Sequence, residues 1–359
     1  MKHIKHKLPK LLLAGIVSLT MLTNSASAVD PVLTNTQLHG VLGVVTNFIL
    51  DDGAKNYKLS KKTGQTQSYD ASGIVVTDGS QKDDGFYQTG VTPNYSRDAG
   101  NEIVTDHVTG LQWQDDLAAA TVQKPWLTTA NYVAPYTDTT GDTVTAYCGN
   151  LVLGGFTDWR LPTSKEIIGL SHYGQSSPAL DAIFQNVASG YYWTSVTYKL
   201  SVIRAWTAYA SSGGQSNFNK TNSNYVRCVR AGDAVIPPDF TKTGNIVTDN
   251  STGLQWQDDA VGISMNWQVA IDHCEALNLD GFSDWRLPNL KELASLTDYN
   301  TSSPTIESTF QNTVPVSYWS STTTVSYVAG AWVINFGTGE QANSLKGSSR
   351  YVRCVRAGQ

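Results

Sequence analysis

Late in the chain, Trp267, Ala270, Ile271, Cys274 and Leu277 fall on one face of a helix. This spacing predicts an amphipathic helix with the cysteine on its buried side. Asn289 and Glu292 stand at N-cap and N3 spacing ahead of Leu293 and Leu296, which predicts a second helix; Thr163 and Glu166 mark a similar start earlier. Beyond the helices the pattern changes. Tyr318-Trp319-Ser320-Ser321, Ala331 to Phe336 and Tyr351 to Arg356 are rich in aromatic and β-branched residues, with Gly337-Thr338-Gly339 as a turn, and predict strands. The last strand is expected to carry Cys354.

The whole order of elements occurs twice. Gly110-Leu111-Gln112-Trp113-Gln114-Asp115-Asp116 returns as Gly253-Leu254-Gln255-Trp256-Gln257-Asp258-Asp259, and Asp158-Trp159-Arg160-Leu161-Pro162 returns as Asp284-Trp285-Arg286-Leu287-Pro288. From Cys148 to Gly232 the first copy lies on Cys274 to Gly358 at a constant offset of 126 residues, with 40 identities in 85 positions. Solenoid repeats run about 20 to 50 residues, so this period is that of a whole domain. The first copy reaches its helix cysteine through a segment 17 residues longer, polar and turn-rich from Thr137 to Asp142, which predicts a surface insertion.

Ahead of the copies, residues 1–28 read as an export signal: Lys2, Lys5, Lys7 and Lys10, then an apolar stretch from Leu11 to Leu22, then Ala26-Ser27-Ala28. The apolar run from Leu38 to Leu50 falls short of the ~20 residues that span a bilayer, so no membrane span is expected. Export removes 4 of the 25 basic residues and none of the 30 acidic ones, leaving a net charge of −9. Such a field argues against nucleic acid or polyanions as partners.

The four cysteines follow the repeat, since Cys148 and Cys228, and Cys274 and Cys354, are each 80 positions apart. Of the three pairings possible, this one gives both copies the same covalent topology. In an oxidising compartment each bridge would stabilise its module by roughly 4 to 5 kcal/mol on the loop-entropy account.

Taken together, Gly-Leu-Gln-Trp-Gln, the helix cysteine, Asp-Trp-Arg-Leu-Pro before Lys-Glu, Tyr-Trp-Ser/Thr-Ser, Ala-Trp and the terminal Val-Arg-Cys-Val-Arg resemble the C-terminal domain of the Legionella collagen-like adhesin. The stretch from Lys58 to Arg97 resembles the leader that often precedes this domain. The resemblance implies an α+β chain of two tandem C-type-lectin-like modules, each with two helices, a mainly antiparallel twisted sheet and long ordered loops. The expected order is signal peptide 1–28, leader 29–100, module 101–232, linker 233–243 with its stiff Ile236-Pro237-Pro238, and module 244–358. The two modules are expected to fold separately. The resemblance also implies adhesion through glycans. A collagen-like Gly-X-Y stalk is missing here, as are the Glu-Pro-Asn, Gln-Pro-Asp and Trp-Asn-Asp motifs of calcium-dependent lectins, so neither a metal nor a cofactor is expected.

Each candidate residue has a functional and a structural reading. Glu166 and Glu292 suit a capping box better than acid catalysis. Arg160 and Arg286 suit pairing beside Asp158 and Asp284. Asp115-Asp116 and Asp258-Asp259 suit helix starts, since calcium takes six to eight oxygens. Trp113, Trp159, Trp193 and Trp206, with partners at Trp256, Trp285, Trp319 and Trp332, suit cores. The expected ligand-binding residues are Gln215, Asn217 and Lys220 with Gln341, Asn343 and Lys346, which recur in a polar segment among differing neighbours.

The expected function is that of an exported binding protein or adhesin, extracellular or periplasmic, with an extracellular glycan or a surface protein as partner. An envelope protein-interaction module is the alternative. A third reading is an enzyme related to the sulfatase-modifying oxidases, which share a similar Arg-Leu-Pro-Thr followed by Glu. It requires reactive cysteines, and His107, His172 and His273 face Asn250, Asp298 and Tyr147 in the other copy. Catalysis is therefore not expected.

Overall fold

Ile-Val-Thr-Asp and Leu-Gln-Trp-Gln occur in both copies, and in both they pair as antiparallel strands: Ile103–Asp106 with Leu111–Gln114, and Ile246–Asp249 with Leu254–Gln257. Val104 and Trp113, like Val247 and Trp256, are fully buried. The computed structural model describes residues 60–231, 239–260 and 262–358. The expected signal peptide, the first part of the leader and Ile236-Pro237-Pro238 lie outside the described residues.

Each copy builds one four-stranded and one five-stranded sheet in the same order. The four-stranded sheet of the first runs Val229–Ala231, Leu111–Gln114, Ile103–Asp106, Tyr95–Asp98; that of the second runs Val355–Ala357, Leu254–Gln257, Ile246–Asp249, Phe240–Thr243. The outer strands Tyr95–Asp98 and Phe240–Thr243 come from stretches expected to be leader and linker. The five-stranded sheet runs Gln123–Pro125, Ser223–Tyr225, Tyr191–Thr197, Arg204–Tyr209, Gln215–Asn219, and its equivalent runs Ser264–Met265, Arg350–Tyr351, Ser317–Thr323, Gly330–Asn335, Gln341–Leu345. All pairings are antiparallel except one per module, Tyr225 with Tyr192 and Tyr351 with Tyr318.

Helices are short. The second module has Trp267–Glu275, the longest in the described residues, and Leu290–Ser295; the first has Val144–Gly149, Ser164–Gly169 and one extra turn, Ala118–Thr121. Thr163 with Glu166, and Asn289 with Glu292, form capping boxes. Cys148 is bonded to Cys228 and Cys274 to Cys354. Cys228 and Cys354 sit one residue ahead of the final strands, rather than inside them as expected. All eight paired tryptophans are at most 3% exposed, so they build the cores.

The described part of the leader packs on the second module. It holds a hairpin, Ser68–Tyr69 with Val75–Val76, and a one-turn helix, Asp84–Tyr87, capped by Asp83. A Cβ at Gly85 would lie 2.1 Å from the Gln67 carbonyl oxygen, so this close approach requires glycine.

The two modules also touch each other. Tyr173 of the first lies in the core of the second, with Leu293, Leu296 and Trp332. The described residues of both modules fall in one compact unit.

Candidate functional site

The six expected binding residues do not line a common surface. Gln215 accepts from the Tyr299 hydroxyl at 2.6 Å, and Gln341 accepts from the Tyr173 hydroxyl at 3.1 Å. Both glutamines are buried between the modules. Asn217 is buried there too, donating to Glu340 at 2.9 Å and accepting from Arg204 at 2.8 Å. Asn343 alone of the six is exposed.

The two lysines are internal. Lys220 Nζ lies 4.1 Å above the Trp126 ring and donates to the Tyr136 carbonyl at 2.8 Å; Lys346 Nζ lies 4.0 Å above Trp267 and donates to the Asp70 carbonyl at 2.8 Å. Cation–π attraction and one carbonyl stand in for water here. Burial lowers the Lys220 ammonium to about 8. Burial likewise lowers Lys346 to about 8, against the opposing pull of Asp83 and Asp70. Five of the six, all but Asn343, are buried and engaged within the fold, which corrects the surface-loop reading for them. The two cages differ in what closes them: the insertion supplies Tyr136, and the leader supplies Asp70.

The remaining candidates are structural as well. Arg160 forks onto Glu166 at 2.9 and 2.6 Å, and Arg286 onto Glu292 at 2.7 Å twice. The expected partners Asp158 and Asp284 pair instead with Arg230 at 2.6 Å and Arg356 at 2.7 Å. One carboxylate thus closes the capping box and binds the guanidinium together. Asp115 is a buried hub rather than a helix start, accepting from Arg97, Arg227 and the backbone of Gln185 and Asn186. Asp258 does the same for Lys242, Arg353, Gln311 and Asn312. Among the described residues no group of three His, Cys, Asp or Glu is placed to hold a metal.

Where the leader meets the second module, charged groups are enclosed. Asp84 accepts from Thr63 at 2.6 Å and Thr322 at 2.7 Å, and burial raises its carboxyl to about 7. Thr89 donates to Glu292 at 2.9 Å, and Tyr87 covers Arg286. The Arg286 side chain is 9% exposed, whereas the equivalent Arg160, with no leader over it, is 44% exposed. Thr322 and Glu275, which bind Asp84 and Tyr87, correspond to Val196 and Gly149. Loss of these two partners leaves the first module unable to hold the leader in the same way. The repeat contained this signal, in pairs whose chemistry differs between copies.

An open groove is found on the first module, lined by Lys124, Asp142, Tyr147 and Asn150 among others. The insertion builds one wall, and the second module has Met265, His273 and Ala276 in place of Lys124, Tyr147 and Asn150. Lys124 is paired with Asp142 at 2.6 Å, so the groove carries little net charge.

Among curated proteins, no match to the chain was found. The family described as the Lcl C-terminal domain matches in two segments, residues 102–230 and 245–356, together more than half of the chain. These segments coincide with the two disulfide-bonded copies, and the chain belongs to the Lcl C-terminal domain family.

Proposed function

We propose that this chain is an exported bacterial binding protein of the adhesin type, which recognises glycan or extracellular-matrix ligands without catalysing a reaction. The observation that carries this reading is the family match over both modules. The helix-to-final-strand bridge of each module also fits a C-type-lectin-like fold, which forms part of the proposal. Two disulfides suit an oxidising compartment, and no helix among the described residues is long and apolar enough to cross a membrane. All four cysteines are bonded, which weighs against thiol-dependent oxidase chemistry. Ligand is met on the outer faces, because the buried glutamines and lysines are already engaged.

One observation favours the protein-interaction alternative. The second module already holds a polypeptide: Gln65 accepts from the Thr323 backbone at 2.8 Å, and Asp84 and Thr89 bind beside it. The test is an array of glycans and matrix proteins probed with the mature protein, with and without calcium. Saturable binding to a glycan or matrix protein is expected. Binding to none of them, together with capture of an envelope protein, would replace the adhesin reading with the alternative.

A further inference from the structure

Strand register draws one row across the five-stranded sheet of the first module. Lys124 pairs with Asn224, the pairing of Tyr225 with Tyr192 sets Asn224 beside Tyr191, and Tyr191 pairs with Tyr209. Partners across a sheet share a face. These four side chains therefore stand opposite Tyr192, Tyr225 and Ala208, which pack in the core.

The row carries an aromatic ledge. Tyr191 and Tyr209 stack with centroids 4.5 Å apart and planes at 23°, and Phe218 meets Tyr191 edge-on at 4.7 Å. All three rings are partly exposed, and Phe218 also packs against the core beside Trp193 and Ala205. Beside them the Asn224 Nδ2 is buried and has no hydrogen-bond partner. At the end of the row, Lys124 is neutralised by Asp142 and borders the groove described above.

The second module has the same sheet with Ser317, Asn335, Ser344 and Arg350 at the positions of Tyr191, Tyr209, Phe218 and Asn224. Its strands pair in the same register without the rings, so the strand pairing does not require them. Partly exposed rings beside a cancelled charge match one ligand chemistry. A pyranose offers C–H bonds from its face to an aromatic ring, and it needs no counter-charge.

The geometry points to a binding site for neutral hexopyranose glycans on the Tyr191–Tyr209–Phe218 ledge, carried by the first module alone. This inference rests on the glycan-binding reading and narrows it, with longer oligosaccharides extending past Asn224 towards Lys124 and the groove. A sulfated chain would meet the exposed Asp142 there, with the lysine already paired.

The test compares the mature protein with a Tyr191→Ser, Tyr209→Asn double variant, which installs the residues of the second module. Titration with neutral hexose oligosaccharides should show binding that weakens about tenfold or more in the variant. Equal binding by both proteins would overturn the ledge and leave the adhesin reading standing. Wild-type binding only to sulfated glycans or matrix proteins would also overturn the ledge and spare that reading; binding to nothing would sink both. Should the variant misfold, a photoreactive hexose oligosaccharide on the wild type should label peptides within 191–224, and labelling confined to the second module would refute the site.

Discussion

Tyr299 of the second module donates its hydroxyl to Gln215 of the first at 2.6 Å, and Tyr173 returns the contact to Gln341 at 3.1 Å. The tyrosines occupy equivalent positions, and so do the glutamines. The rings follow suit: Tyr173 meets Trp332, and Tyr299 meets Trp206, each at 5.4 Å between centroids and 68° between planes. Removing both hydroxyls by Tyr173→Phe with Tyr299→Phe leaves two buried amides without partners and should cost roughly 1 to 3 kcal/mol per site. Urea denaturation checks this. The wild type should unfold both modules in one transition; two well-separated transitions would mean that the interface does not couple them.

Removing the leader should loosen one module more than the other. Residues 60–92 supply the Asp70 carbonyl to Lys346, cover Arg286 with Tyr87 and bind Glu292 through Thr89. Hydrogen exchange on a chain lacking them should show lost protection around Asn289 and Thr322, with the equivalent positions Thr163 and Val196 little changed. Uniform loss across both modules would contradict this asymmetry.

Stability should fall with rising pH through Asp84. Burial raises its carboxyl from 3.8 to about 7 in the folded protein, so the folded chain keeps a proton that the unfolded chain gives up. The contribution is complete below the unfolded value and is lost as pH rises through the folded value. Thermal midpoints of the wild type should therefore decline relative to those of Asp84→Asn between pH 4 and 8. Lys291, lowered to about 7 by burial and by Lys61, acts in the opposite sense above that pH. Parallel curves for the two proteins would remove Asp84 as the cause.

The core of the first module has room to fill. A cavity there is bordered by Ala208 and Ala210, where the second module has the buried Ile334 and Phe336. Ala208→Ile should stabilise the chain by about 1 kcal/mol by filling that space. A calorimetric midpoint lower than the wild type would show the cavity walls to be rigid.

Helices, capping boxes, disulfide pairing and tryptophan cores were legible because each depends on local spacing or on a constant offset between copies. The interface was not. Gln215 and Lys220 recur for the same reason that core residues do, yet polar side chains look exposed in a sequence when their partners are remote. Tyr299 lies 84 positions from Gln215, and Asp70 lies 276 from Lys346. The ledge was hidden for the opposite reason. Tyr191, Tyr209 and Phe218 have no aromatic counterparts in the second copy, so attention to what recurs passes over them.

An interface that maps onto itself when its halves are exchanged is what a symmetric homodimer uses. Here both halves belong to one chain, so dilution cannot dissociate them and the pairing is independent of protein concentration. A homodimer must also place every substitution on both sides at once. This chain is released from that constraint: Asn217 donates to Glu340, while the exchanged position opposite Asn343 is Gly214, with no side chain to answer. One copy is thereby free to keep the rings and the insertion, and the other to specialise in holding the leader.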